Sequence, residues 1–167
     1  PEGAADLVFV CTPAAGNPEL LRTAAAKGIR AAFIASAGYG EAGDEGRQRQ
    51  DELVALADDL GMLLVGPNGQ GVISTPASLC AQIVAPYPPR GRIGIVSQSG
   101  NFVSSFMNYA AHSGVGVSRA VSAGNAAQVE INPPGVGLAR RIIAPGADEQ
   151  VGIAVTVDIA CPGRRPA

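Results

Sequence analysis

Ser97, Ser99, Gly100 and Asn101 are the residues best suited to chemistry in this sequence. They end the segment 92–101, Arg-Ile-Gly-Ile-Val-Ser-Gln-Ser-Gly-Asn. A short apolar run stops at Ser97, and Phe102, Phe106 and Ala110 then recur at helical spacing. A strand that turns through Ser-x-Ser-Gly into a helix gathers unpaired backbone N–H groups and the positive helix end at one point. Such a point suits an anion, above all a phosphate, and the two hydroxyls would add donors. The plainer alternative is a strand–helix turn capped by Ser99.

Other chemistries fit poorly. No serine lies in a Gly-x-Ser-x-Gly frame, so a hydrolase elbow is not expected. The one histidine, His112, falls near the end of the helix that Ser99 begins, about 20 Å away at the helical rise. It is too far to act as a base for Ser99 and reads as a favourable charge at the helix C-terminus. A single histidine and no Cys-x-x-Cys pair leave no metal cluster to expect. Residues 38–43 match Gly-x-Gly-x-x-Gly after an apolar run, the pattern of a dinucleotide turn. The next strand, Met62–Val65, ends in Gly66 with no acidic residue to hold a ribose, which argues against NAD. A loop lining a ligand cleft, or a simple glycine turn, fits better. Among the carboxylates, Asp158 stands out at the end of an apolar run.

The elements that would position these residues alternate. Asp6–Cys11, Ala31–Ala35 and Met62–Val65 read as strands, separated by helical patterns. Asn17 and Pro18 open the first helix, with Asn17 expected as N-cap, and Gly28 ends it. Asp44 is expected to cap the second, whose apolar stripe is Leu53, Leu56, Ala57 and Leu60. This order predicts βαβ units and a parallel sheet. The first strand lacks the neighbours such a sheet requires, so the unit reads as half of a doubly wound domain without its first strands. Leu79–Ala85 reads as a short extra strand. The stiff run 86–91, Pro-Tyr-Pro-Pro-Arg-Gly, reads as a domain boundary. A second unit follows: strand 92–97, helix 101–113, strand 115–121. Asn132-Pro133-Pro134-Gly135 is a break, Val136–Ile143 a candidate helix, Val151–Ile159 a strand and Pro162–Ala167 a tail.

The bulk composition narrows the partners. A net charge of −2 without a basic stripe excludes nucleic acid as the main partner. No apolar run is long enough to span a membrane, and no signal sequence is visible. Cys11, Cys80 and Cys161 are far apart and odd in number, which points to the reducing cytoplasm.

Four ordered motifs carry a resemblance. They are Gly66-Pro67-Asn68-Gly69-Gln70-Gly71, Ile95-Val96-Ser97-Gln98-Ser99-Gly100, Gly116-Val117-Ser118, and Ser122-Ala123-Gly124-Asn125-Ala126. In order and spacing they resemble the NDP-forming acyl-CoA synthetases, the ADP-forming acetate–CoA ligases related to the succinyl-CoA synthetase α subunit. Ser36-Ala37-Gly38-Tyr39 with Glu41 resembles a loop of their CoA-binding domain. The resemblance covers about residues 5–131. It implies an α/β fold: an incomplete Rossmann-like CoA-binding domain over 1–87, a partial flavodoxin-like ligase domain over 88–160, and a tail over 161–167. It implies a reaction joining a carboxylic acid to CoA at the expense of a nucleoside triphosphate, through an acyl phosphate and a phosphohistidine. Val10, Cys11, Thr12, Pro13, Ser36, Ala37, Gly38 and Asn68 would bind CoA. Ser97, Ser99, Gly100 and Asn101 would hold the phosphoryl group, and Asp158 would fill a supporting acidic position.

The implied cofactors are CoA and, in the complete enzyme, ATP/ADP with Mg. The implied partners are an ATP-grasp subunit or domain and further copies of the chain in a homo-oligomer. The sequence departs from the family in three places. Gly69-Gln70 stands where a Cys and a Leu or Pro are usual, the pattern after Ile131 breaks, and no phosphohistidine loop occurs. The chain is therefore expected to be an internal fragment that does not turn over alone. The alternative is a non-catalytic CoA- or nucleotide-sensing module of the kind fused to acetyltransferases.

Overall fold

The computed structural model describes residues 3, 5–83, 86–128 and the backbone of 154–157. Two sheets make up the architecture. The first is parallel, in the order β1 (Leu7–Val10), β2 (Ala31–Ile34), β3 (Leu63–Val65). The crossovers are α1 (Asn17–Ala26) and α2 (Asp44–Asp59). Helices return the chain to the same end of the sheet, so each strand can be apolar along its whole length. Leu21 and Ala24 of α1, and Leu53 and Ala57 of α2, sit at helical spacing and are buried against Val10, Ile34 and Leu64. Leu56 and Leu60 complete the α2 stripe as partly buried residues.

The second sheet is mixed, in the order β5 (Leu79–Gln82), β4 (Gly71–Ser74), β7 (Val117–Ser122), β6 (Arg90–Ser97), β8 (Ala154–Val157). β6 and β7 are parallel and joined by α3 (Gly100–Ser113), the expected second unit. Val103, Met107 and Ala110 of α3 are buried on Ile95, Val117 and Ala120, and Phe102 and Phe106 flank them half-buried. Each fully buried aliphatic side chain of this size contributes roughly 1.5–3 kcal/mol. β8 runs parallel to β6, where a strand over 151–159 is expected.

The sequence shows no sign of β4, which pairs antiparallel with both β5 and β7. The strands before and after the proline-rich run 86–91 thus share one sheet, and the change of sheet falls between Val65 and Gly71. Asp158, the candidate helix 136–143, the break at 132–135, Cys161 and the tail lie outside the described residues.

Two expected helix caps are corrected. Gly43, not Asp44, occupies the N-cap of α2, and no side chain caps that end. Gly16 is the N-cap of α1, after a 3₁₀ turn over Ala14–Gly16. Asn17 is instead fully buried within the first turn. It accepts a hydrogen bond from Thr12 Oγ1 at 2.7 Å. Its amide donates to Tyr39 OH at 2.7 Å and to Ser36 Oγ at 3.2 Å. The amide itself and the Tyr39 hydroxyl are buried and need partners more than a solvent-facing helix end does, so the side chain turns inward.

Two substitutions test this packing. Asn17→Ala leaves Tyr39 and Thr12 short of a buried partner, and a loss of about 2–3 kcal/mol is expected in urea unfolding. Gly46 lies inside α2, where alanine would ordinarily gain about 1 kcal/mol. A Cβ there would sit 1.9 Å from the carbonyl oxygen of Tyr39. Gly46→Ala is therefore expected to lower the unfolding midpoint.

Candidate functional site

Three of the glycine-rich segments converge. The turn after β3, the turn between β6 and α3, and the turn after β7 border one open cleft of about 400 Å³. It is lined by Asn68, Gly69, Gln70, Gln98, Ser99, Gly100, Asn101, Gly124 and Asn125, with Ala35 and Ile83. The cleft lies beyond the carboxyl ends of β2, β6 and β7, the usual location for a ligand in such sheets.

The Ser97–Asn101 turn has the expected capping role and leaves first-turn N–H groups at the cleft. Ser99 is the N-cap of α3, and its Oγ accepts from the Phe102 N–H at 3.2 Å. The carbonyl oxygen of Ser99 takes the Val103 N–H at 3.2 Å. The N–H groups of Gly100 and Asn101 belong to the first turn and have no acceptor within the helix. They meet the cleft with the positive end of a 14-residue helix. Ser97 is buried and does not line the cleft; its Oγ accepts from the Ser99 N–H at 3.0 Å and sets the turn.

Gly100 leaves room for its neighbour: a Cβ would lie 2.3–2.5 Å from side-chain atoms of Gln70, which would have to move aside. Gln70 is held there by the Ser104 hydroxyl, which donates to Oε1 at 2.6 Å. His112 lies in the last turn of α3, at the far end from Ser99, with Nδ1 2.8 Å from the Asn108 carbonyl oxygen.

The other candidate residues form a strip beside the cleft. Val10 is buried at the end of β1, and its carbonyl accepts from Ala35 at 2.8 Å. Cys11, Thr12, Pro13 and Ala37 are exposed, and Ser36 and Gly38 are half-buried. Ser36 Oγ donates to the Thr12 carbonyl oxygen, which ties the ends of β1 and β2 together. The Asn68 N–H donates to the Ser36 carbonyl at 3.0 Å and joins the strip to the cleft. Of these eight residues, Asn68 alone lines the cleft together with the Ser99 turn, and the Ser36 carbonyl meets it through the Asn68 N–H.

Three functional neighbours are absent from the sequence-derived set. Asn17 holds the strip from below, Gln70 packs on Gly100, and Asn125 lines the cleft. Asn125 lies within a recognised motif, which was the only available signal for it.

Glu41 stands out among the carboxylates of the described residues. Partial burial pushes its carboxyl up, but hydrogen bonds from Asn125 and from the backbone of Glu41, Gly38 and Tyr39 outweigh this and hold it below its ordinary value. Burial raises the Tyr39 phenol, opposed by its hydrogen bond with Asn17 and by the charge of Arg49. Among the described residues no group of three or more His, Cys, Asp or Glu could hold a metal ion. No described helix is long and apolar enough to cross a membrane.

The strip suits an extended, largely uncharged ligand portion: its exposed side chains are small and none is charged. The first turn of α3 suits an anion for the reasons given above.

Comparison with known proteins follows the same division. Residues 1–75 match the CoA binding domain family, and residues 90–133 match the succinyl-CoA ligase like flavodoxin domain. The ADP-forming acetate–CoA ligase I of Archaeoglobus fulgidus is 38% identical over 125 residues, 75% of this chain and 18% of that protein. The α subunit of the Pyrococcus furiosus ADP-forming acetate–CoA ligase I is 34% identical over 125 residues, again 75% of this chain and 27% of the subunit. An acetyl-coenzyme A synthetase of Ca. Korarchaeum cryptofilum, solved with phosphate and ADP, superposes with a TM-score of 0.80 at 26% identity. That match covers 96% of this chain and 33% of the synthetase. The chain therefore spans only about a fifth to a third of the proteins it matches. By sequence and by fold, the chain is similar to part of the CoA-binding α-subunit region of the ADP-forming acyl-CoA ligases.

Proposed function

We propose that this chain is the CoA- and phosphoryl-binding core of an acid–CoA ligase and does not turn over alone. The observation that carries this reading is the convergence of three family motifs on one cleft, with the N-terminus of α3 facing into it. Residues 1–87 are then the carboxyl-terminal half of a CoA-binding domain. Residues 88–160 are part of a flavodoxin-like ligase domain, with 161–167 as a tail. The family matches ending at 75 and starting at 90 support this division, with β4 and β5 as a connecting hairpin.

Val10, Cys11, Thr12, Pro13, Ser36, Ala37, Gly38 and Asn68 hold CoA along the strip. CoA supplies the thiol that takes the acyl group. Gly100 and Asn101 present their N–H groups to phosphoryl oxygens, and Ser99 holds the turn open from within. These donors are placed before any charge develops, so they stabilise a phosphoryl group in transit without reorganising. Ser97 shapes the turn, and Asp158 is the candidate acidic support.

The complete enzyme joins a small carboxylic acid to CoA with conversion of ATP to ADP in the presence of Mg, through an acyl phosphate and a phosphohistidine. The sole histidine, His112, is at the wrong end of α3 for that role. The phosphohistidine loop and the ATP-grasp part therefore come from a partner subunit or domain. The cytoplasm, where CoA and ATP meet, is the compartment this reading implies, and a homo-oligomer is its expected assembly.

Two measurements test the site. Calorimetric titration is expected to show saturable CoA binding and no NAD binding. Bound CoA should slow alkylation of Cys11, which lies in the strip, more than that of Cys80, which does not. Absence of CoA binding by the folded chain would mean that the strip requires sequence beyond these residues. Gly100→Val displaces Gln70 and crowds the helix end, so affinity for inorganic phosphate should fall by about tenfold or more. Unchanged affinity would remove the Ser99 turn from the site.

A further inference from the structure

A hydrogen-bonded relay connects the turn after β2 to the wall of the cleft, across 84 residues of sequence. Glu41 Oε1 accepts the N–H groups of Gly38 and Tyr39. Glu41 Oε2 accepts from Asn125 Nδ2 at 2.6 Å. The same nitrogen donates to Gln50 Oε1 at 2.9 Å, and that oxygen also takes the Gly40 N–H at 3.2 Å. An ionised carboxylate only accepts, so Asn125 has one workable orientation: amide nitrogen toward Glu41, oxygen away. That oxygen faces Asn68 Nδ2 at 3.4 Å, a longer contact. Asn68 lines the cleft with a backbone φ of 60°, in the left-handed region that asparagine adopts more readily than most residues.

We propose that Glu41 is a positioning residue which, acting through Asn125, sets the Asn68 amide and the 124–125 wall of the cleft and so couples the 38–41 turn to the phosphoryl site. Both donors of Asn125 are committed to Glu41 and Gln50, so Asn125 is part of the scaffold and not an anion donor. The ligand named here rests on the ligase reading; the relay does not.

The ionisable groups around the contact are Glu41 itself, the Tyr39 phenol, and Arg49 of α2, whose charge reaches Tyr39. Glu41 is held below its ordinary value, so its contribution is complete above the unfolded-state value. It is lost as pH falls through the lowered folded-state value. Asn125→Asp reverses that sign. Two carboxylates at this distance cannot both stay charged, so the contact opens near neutral pH and closes in mild acid as a proton is shared.

Backbone amide exchange, corrected for the intrinsic pH effect, reads this directly. In Asn125→Asp at about pH 7, exchange at Gly38, Tyr39 and Asn68 should quicken by about tenfold or more, with the β2 and β6 amides unchanged. Protection should return as the pH is lowered into the acid range. The double variant Glu41→Gln/Asn125→Asp exchanges donor for acceptor and should restore protection at neutral pH. Unaltered exchange in Asn125→Asp, or loss that neither acid nor the double variant recovers, overturns the proposal. Should Asn125→Asp lose protection throughout the chain, Glu41→Gln decides. It must loosen the same segments selectively and remove their acid dependence. A wild-type chain that follows this pattern yet binds neither CoA nor inorganic phosphate would overturn the ligase reading and leave the relay standing.

Discussion

The structure depends on a close approach of two backbone segments, 66–69 and 124–127. The Asn125 N–H donates to the Pro67 carbonyl at 2.9 Å, and the Ala127 N–H to that of Gly66 at 3.0 Å. A Cβ on Gly124 would lie 2.3–2.4 Å from the backbone of Pro67 and Asn68, so only glycine lets the chains meet there. This contact joins the end of the first sheet to the end of the second. The cleft exists because the two sheets present their strand ends to one another at that seam. Gln128 extends it: its amide accepts from the Leu64 N–H and donates to Asp58 and Met62, which satisfies the outer edge of β3.

Around the seam the interior divides labour. Each sheet has its own apolar core, covered by α1 and α2 in one case and by α3 in the other. Between them Val65 of the first sheet packs against Val96, Val121 and Ala123 at the end of the second, and polar scaffolding surrounds that contact. Asn17, Thr12, Ser36 and Tyr39 satisfy one another under the strip, and Glu41, Asn125 and Gln50 satisfy one another beside the cleft. No buried side-chain polar atom among the described residues lacks a partner. A fully satisfied polar layer is stiff, because any displacement leaves a buried group unpaired. Stiffness of this kind is what a site made from backbone N–H groups requires, since such donors cannot adjust by rotating a side chain.

The same arrangement accounts for the spread of the recognised motifs. The glycine- and serine-rich segments are distant in sequence and carry almost no titratable groups. Their value lies in letting backbone approach backbone, and a ligand approach both.

By itself the sequence determined the alternation of strands and helices, the parallel first sheet, the α3 turn with its Ser99 cap, and the family resemblance. Each follows from local periodicity, capping chemistry or ordered motifs, which neighbouring residues suffice to specify. Tertiary structure alone decided the rest. β4 is a four-residue strand whose existence depends on pairing with β7, far along the chain. Asn17 and Asp44 carry ordinary capping signals, yet glycines precede both helices as caps. For Asn17, the buried Tyr39 hydroxyl, with those of Ser36 and Thr12, outbids the helix end. Gln70 and Asn125 gained their places from a seam between two sheets, and no local pattern encodes a contact between segments more than fifty residues apart.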